Sequence, residues 1–319
     1  MNVNRLLILG VTGSGKGRLA FDLAKDLRAE IISIDSMKVY RRMDIGTAKP
    51  PKEAQEQVKY HLIDIVEPSD SFSVRSFLDN TLEAIRQIGS RNKPVVAVGG
   101  TALYIKALLY GLFEGPAADK QIRAELRARA QTQGLDQLYR QLTQVDPEAA
   151  VRIHQNDARR IIRALEVYEL TGRPISSFQQ QWNPQQTSHE RRAMDYDWTI
   201  IGLRREKAEE NKRINARVKR MIAAGLVDEV KSLLSEKKPL SPQARCAIGY
   251  AEIIDHLSGK TTLEDAIELI KKNSRRLAKS QRTWFKTFRN VHWLDIGPEE
   301  SDEKILDLVR AVADSSGSR

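Results

Sequence analysis

An apolar, strand-like run, RLLILG (residues 5–10), passes straight into GVTGSGKG (10–17). A segment with Leu19, Ala20, Leu23, Ala24 and Leu27 at helical spacing follows. Strand, glycine-rich loop and helix in that order form the pattern of a phosphate-binding loop, in which Gly10, Gly15 and Lys16 hold the diagnostic places. The backbone N–H groups of Val11, Thr12, Gly13, Ser14, Gly15, Lys16 and Gly17 are then expected to surround a phosphate, aided by the positive end of the helix. Lys16 adds a point charge. The pattern places a Mg²⁺-ligating hydroxyl last, and here that residue is Gly17. An expected Mg²⁺ is therefore held through water, by Ser14 or Thr12, or more weakly.

A loop of this kind requires a parallel sheet with helices on both faces. The next segments supply one. IISID (31–35), HLIDI (61–65) and PVVAV (94–98) read as strands, and residues 73–88 have helical periodicity. Ligands of such sheets sit beyond the carboxyl ends of the strands, so Gly10, Asp35 and Gly99 are expected to meet. After Gly115-Pro116 the texture changes. Residues 119–170 read as helical throughout, and 171–197 are rich in Gln, Ser, Asn and Pro. WTIIGL (198–203) and VHWLDI (291–296) return as strands, with helices between them. The expected architecture is an α/β fold: a P-loop three-layer parallel-sheet core from 1–115 plus 198–319, an all-helical insertion over 116–197, and a helical C-terminal part. The last ~15 residues read as a frayed helix and a Ser/Gly tail.

Composition narrows the function class. The 319 residues are 41% hydrophobic and 29% charged, and no apolar run approaches the ~20 residues of a membrane helix. A single cysteine, Cys246, excludes an internal disulfide and a thiolate zinc cluster. A cytoplasmic protein with no membrane contact is expected. None of His61, His154, His189, His256 and His292 has metal-ligand spacing to another histidine or cysteine. The formal net charge is +10. Lys271 to Arg289 carries eight basic residues and no acid. At 100° per residue, Lys271, Arg275, Lys279, Arg282, Lys286 and Arg289 share an arc of about 80°. Ile270, Leu277, Trp284, Phe285 and Phe288 fall opposite them. The segment is expected to be an amphipathic helix with an outward basic ridge suited to a phosphate backbone, with Lys279 and Arg282 as RNA contacts.

A phosphate loop does not name a reaction, and the discriminating segments lie elsewhere. These are DSMKVYRRMDIGTAKP (35–50), YHLIDI (60–65), GGTALYIKALL (99–109) and GLFEGP (111–116). RIIRALEVYELTGRPIS (160–176), RINARVKRMIAAGLVDEV (213–230), AIGYAEII (247–254) and KKNSRRLAKSQRTWF (271–285) follow in the same order. Together they resemble the tRNA dimethylallyltransferases, or tRNA isopentenyltransferases, of the bacterial type. The resemblance implies transfer of a dimethylallyl group from dimethylallyl diphosphate to the exocyclic amine of an adenosine. That adenosine lies 3′ of the anticodon in tRNAs reading codons that begin with U.

It implies further that the P-loop holds the donor's diphosphate, that Asp35 is the general base and that Thr101 lies at the reaction centre. It brings Arg217 to the diphosphate, and with Lys16 these form the expected catalytic set. Asp35, Ser36, Met37 and Lys38 would lie against the target base. At position 38 the family usually carries Gln, so either the base contact is altered or attraction to phosphate replaces it. Arg123, Arg159, Arg160, Ile161, Ile162 and Arg163 of the insertion are implied to contact the anticodon stem-loop, and the protein to act as a monomer. Simpler roles remain for single residues. A strand-end Asp35 can ligate a metal, Thr101 can cap the helix after it, and Arg217 can be a surface charge. The rival functions are a P-loop kinase or NTPase acting on a nucleotide or RNA, and an RNA-binding protein without chemistry.

Overall fold

The structure is a computed structural model describing residues 5–112, 115–179 and 197–316. Its backbone divides into two compact units, Met1–Leu108 with Asp195–Arg319, and Leu109–Met194. The larger unit holds a six-stranded sheet of β1 (Arg5–Gly10), β2 (Glu30–Ile34), β3 (Tyr60–His61), β4 (Val95–Gly99), β5 (Thr199–Arg204) and β6 (Val291–Asp295). Every pairing is parallel, in the order β3-β2-β4-β1-β5-β6. The helices between the first four strands are α1 (Lys16–Leu27), α2 (Lys52–Gln57) and α3 (Val74–Gly89), and α4 (Ala102–Tyr110) follows β4. The smaller unit contains α5 (Lys120–Gln133), α6 (Leu135–Val145), α7 (Pro147–Arg152), α8 (Ala158–Thr171) and α9 (Ile175–Phe178). After β5 come α10 (Lys207–Ala223), α11 (Leu226–Leu234), α12 (Pro242–Arg245), α13 (Tyr250–Leu257) and α14 (Leu263–Phe285). A last helix, α15 (Asp302–Ser316), follows β6.

The strands are apolar at successive positions because both faces of the sheet are covered. Leu6, Ile8, Ile31, Val96 and Ile201 share a core with Leu19 and Leu23 of α1 and Ile305 and Val309 of α15. Leu7, Leu9, Ile32 and Ile34 on the opposite face are equally buried, where α3 and α14 approach. α15 is therefore a correction to the frayed end expected from sequence: its apolar stripe is part of the core. Residues 317–319 of the expected tail lie outside the described residues.

The register decides which residues meet. Gly99 is the partner of Leu9 on one side and of Ile34 on the other. Gly10, Asp35 and Gly100 thus leave the sheet side by side. Gly99 must be glycine, because a Cβ there would stand 2.0 Å from the Ile34 carbonyl oxygen. A second correction concerns residues 61–65. β3 stops at His61 because Leu62 (φ 62°) and Asp64 (φ 56°) are left-handed and cannot extend a strand. Pairing resumes only as a bridge between Tyr40 and Val66.

The smaller unit has its own core, in which Leu126 of α5, Leu138 and Leu142 of α6 and Ile161 and Leu165 of α8 are buried together. Three of these five helices start on acidic caps. Asp119 opens α5, Asp146 opens α7 beside Pro147, and Asp157 opens α8. Its limits are displaced from the expected 116–197, and residues 180–196 of the Gln- and Asn-rich stretch lie outside the described residues.

Candidate active site

The phosphate loop takes its shape from glycine. Gly13 (φ 84°) and Gly15 (φ 97°) have backbone angles closed to other residues without strain. Gly15, at the N-cap of α1, has no side chain to cap it, and the Lys16 N–H has only a long contact to Ser14 Oγ (3.5 Å), so the positive end of this twelve-residue helix can receive an anion. The loop's carbonyls are braced from behind. Arg213 Nε donates to Gly13 O at 2.9 Å and Arg205 Nε donates to Ser14 O at 3.0 Å. Thr12 is less available than expected: its N–H donates to Gln281 Oε1 at 2.8 Å, and Arg217 Nη1 lies 3.5 Å from its hydroxyl.

The loop borders a cavity of about 1060 Å³ lined also by Asp35, Lys38, Thr101, Arg217 and Trp284. Asp35 Oδ1 accepts the N–H groups of Met37 (2.9 Å) and Lys38 (3.2 Å), an Asx-type turn that fixes the DSMK segment. Thr101 Oγ1 accepts the Ser36 N–H at 3.1 Å. Its carbonyl accepts the N–H groups of Tyr104 and Ile105 as α4 begins. Thr101 therefore ties two strand ends together, and its side chain does not cap α4. Arg217, half-buried on α10, also donates to Thr47 O at 3.4 Å, so it sits at the site and not on the outer surface.

Lys16, Lys38 and Arg217 stand within electrostatic reach of one another and of Asp35. Lys16 Nζ rests on Val11 O at 3.1 Å. Burial first, then Arg217 and Lys38, push its ammonium down to about 7 against the pull of Asp35. Burial lowers Lys38 as well, with Asp35 acting the other way. A site with three cations and one carboxylate lacks an anion. Binding one restores the Lys16 proton, so anion binding at pH 8 is expected to take up close to one proton, about half of one near pH 7, and almost none below about pH 6. Calorimetry with a diphosphate in two buffers of different ionisation enthalpy measures this, and Lys16→Met abolishes the uptake.

The DIGTAKP segment frames the cavity through a contact invisible in sequence. Glu229 of α11 accepts the N–H groups of Asp44 (3.0 Å), Ile45 (2.8 Å) and Gly46 (3.3 Å), and the Tyr250 hydroxyl at 2.6 Å. Gly46 admits no side chain, since a Cβ would stand 2.4 Å from the Tyr250 ring. Lys49 Nζ reaches Tyr40 O, Asp44 and Asp64, which closes the segment on itself.

Gln281, buried on α14, is a second residue that sequence reading missed. Its Oε1 holds the Thr12 N–H, and its Nε2 donates to Gly100 O at 2.8 Å. It joins the phosphate loop to the turn that carries Thr101. Only a polar residue in a helix that otherwise buries apolar groups hinted at it. Gln281→Leu leaves a buried N–H and a carbonyl unpaired, at roughly 1–3 kcal/mol for each such group. It is expected to lower kcat about tenfold or more while KM for RNA stays within about threefold, read in steady-state assays.

The match to known proteins follows the same segments. Residues 38–288 match the family model described as IPP transferase. The chain belongs to this family. It is 45% identical over 290 residues to a tRNA dimethylallyltransferase of Geobacter metallireducens, covering 91% of this chain and 92% of that one. It is 41% identical to that of Acetivibrio thermocellus, covering 95% of each. Among solved structures, the full-length tRNA isopentenylpyrophosphate transferase of Bacillus halodurans has a TM-score of 0.70 at 40% identity, with 99% and 98% of the two chains covered. A eukaryotic dimethylallyltransferase acting on tRNA has a TM-score of 0.77 at 28% identity, covering 98% of this chain and 79% of that one. These are prenyltransferases, and the kinase reading finds no support among them.

The residues assigned to RNA in this IPP transferase divide into two groups. Arg159 and Arg160 are exposed at the start of α8, Arg160 beside Asp157 at 3.3 Å. Ile161 and Ile162 are core residues of the smaller unit, 0% and 7% exposed, which corrects their expected role as RNA contacts. Arg123 and Arg163 both pair with Glu166, which is fully buried, at 2.9 and 2.7 Å. Arg163 also donates to Pro116 O at 2.8 Å. Their charge is already opposed, because a buried carboxylate needs such partners.

The basic run on α14 needs a further correction. The outward face is rotated from the one that periodicity suggested. Lys271 is 8% exposed and pairs with Glu268, Arg275 bonds Asn215 of α10, and Arg282 pairs with Glu210 of α10, itself 2% exposed. Leu277, placed in the core from sequence, is 41% exposed, and with Trp284 it lines the cavity. Lys279 stays exposed, as do Lys272, Arg276 and Lys286. Burial pushes the Glu210 carboxyl up and Arg282 opposes that. Arg282→Ala is therefore expected to cost about 3 kcal/mol of stability in denaturant unfolding, the low end for breaking a buried pair, because Arg282 is itself partly wet. The salt dependence of RNA binding is expected to change little.

The expected Mg²⁺ finds no protein ligand set. Gly17 offers no side-chain hydroxyl, and the Thr12 hydroxyl faces Arg217 at 3.5 Å. Ser14 is 1% exposed, and its hydroxyl packs against Gly10, 2.7 Å from where a Cβ would be. Among the described residues no group of three His, Cys, Asp or Glu side chains could hold a metal ion. Among them, too, no helix is long and apolar enough to cross a membrane.

Proposed function

We propose that this protein transfers a dimethylallyl group from dimethylallyl diphosphate to the exocyclic amine of the adenosine 3′ of the anticodon, in tRNAs reading codons that begin with U. The observation that carries the reading is one cavity that the glycine-rich loop borders and that Lys16, Lys38 and Arg217 line, with the Asp35 carboxylate at a strand end beside them. An exocyclic adenine amine is a weak nucleophile, so the reaction needs a stabilised leaving group, a base and fixed geometry.

The P-loop amides, Lys16 and Arg217 bind the diphosphate and hold the charge that grows on it as it departs. The amine nitrogen forms its bond to the allylic carbon. The carbon–oxygen bond breaks, and its electron pair leaves on the diphosphate. Asp35 accepts the proton that the amine loses. The Ser36–Thr101 bond holds Asp35 beside the Thr101 turn, and Gln281 ties that turn to the phosphate loop. The base must leave its stack to enter the cavity, and DSMK lies where it would be received. The reading assigns Arg159, Arg160 and Lys279 to the RNA backbone. It makes the protein a cytoplasmic enzyme that acts as a monomer.

The test is incubation with labelled dimethylallyl diphosphate, Mg²⁺ and a tRNA whose anticodon ends in A and is followed by A. A parallel reaction contains ATP in place of the donor. Label in the tRNA supports the reading. ATP turnover with no label in the tRNA overturns it.

A further inference from the structure

We propose that Lys38 supplies, from a side chain, the charge that a metal ion bound to the phosphate loop would otherwise supply, so that Lys16, Lys38 and Arg217 hold the donor's diphosphate without a protein-bound divalent cation. The inference rests on the donor reading above and goes beyond it, because it concerns how this chain meets the charge of the diphosphate.

Two observations support it. The first is the failure of the loop to offer side-chain metal ligands: Gly17 carries no hydroxyl, the Thr12 hydroxyl faces Arg217, and the Ser14 hydroxyl is buried beside the Lys16 N–H. The second is the setting of Lys38. The Asx turn on Asp35 pins its backbone, its side chain lines the same cavity as Lys16, and its ammonium makes no hydrogen bond or ion pair with any described residue. The nearby Lys49 is already bound to Tyr40 O, Asp44 and Asp64, so it does not compete for the ligand. Asp35 is the carboxylate facing Lys38. Asp35 offsets one of these three positive charges, and a diphosphate, with up to three negative charges, more than offsets the rest. A half-buried ammonium without a partner, beside two further cations on one cavity wall, is a site for an anion.

The experiment is calorimetric binding of dimethylallyl diphosphate and of inorganic pyrophosphate, in EDTA and in Mg²⁺, with tRNA prenylation measured in parallel. The wild-type protein is expected to bind both ligands in EDTA within about threefold of its affinity in Mg²⁺. Lys38→Gln is expected to lose about tenfold or more in EDTA. Lys38→Arg is expected to keep most of the EDTA affinity. Gly17→Thr has open space around its side chain. In the Lys38→Gln background it is expected to restore binding in Mg²⁺ but not in EDTA. Thermal melting of each variant separates a folding defect from a binding defect. A wild-type affinity that falls tenfold or more in EDTA, with prenylation intact in Mg²⁺, overturns this inference alone. So does Lys38→Gln binding as the wild type does in EDTA. Absence of both binding and prenylation in every condition overturns the donor reading and this inference with it.

Discussion

Replacing Asp35 by asparagine is expected to lower kcat for prenyl transfer by about 10²–10⁴, the range for loss of a positioned general base. The substitution isolates the chemistry from the fold. The amide oxygen of asparagine can still accept the Met37 and Lys38 N–H groups, so the DSMK turn survives. tRNA affinity is then expected to stay within about threefold, because little but the proton acceptor is lost. Donor affinity is expected to rise, since removing the one carboxylate leaves Lys16, Lys38 and Arg217 with more unopposed charge. Single-turnover rates with saturating tRNA, beside filter binding of tRNA and donor, separate the three quantities. Equal losses of rate and tRNA affinity would remove Asp35 as the base.

The second large effect is structural. Gly99→Ala places a methyl 2.0 Å from the Ile34 carbonyl oxygen and 2.6 Å from its carbonyl carbon, in the middle of the parallel sheet. Neither neighbour is the movable end of a side chain, so β2 and β4 must separate where Asp35 and Thr101 emerge. A cost of about 3 kcal/mol, the upper end for overpacking, is expected, or roughly 6–12 °C in Tm. Activity at temperatures where the variant stays folded is expected to fall as well, because the strand ends set the spacing of the site. Gly17→Ala is the control. It sits in α1 with nothing within 4 Å of its Cβ, and a gain of about 0.4–1 kcal/mol is expected from the stiffer chain. Thermal unfolding of the pair tests both statements. An unchanged Tm for Gly99→Ala would show that the strands yield more easily than the register implies.

The Gly99 result bears on why the site could be read from sequence so far and no further. The phosphate loop, the acid after β2 and the double glycine after β4 are local patterns, and each reports a strand end by itself. A parallel sheet brings strand ends together, so the convergence of Gly10, Asp35 and Gly100 followed from the fold class. HLIDI looked like a strand for the same local reason. It failed because two left-handed residues, Leu62 and Asp64, leave no mark in an apolar pattern.

By itself, then, the sequence determined the α/β sheet, the helical unit between its strands, the glycine-rich loop after β1 and the acid after β2, all of which are written in short-range periodicity and glycine placement. Only the tertiary structure decided what the charged side chains do. Arg282 faces Glu210 and Arg123 faces Glu166, because a buried carboxylate captures a cation from a distant part of the chain, and Arg163, one turn from Glu166 on the same helix, joins Arg123 there. Gln281 and Glu229 became visible as scaffolding only once helices far along the chain met the loops they hold. The outward face of α14 was misjudged for the same reason. Long basic side chains pack their stems as readily as they face water, so periodicity alone cannot tell a wet arginine from one that ends on a buried acid.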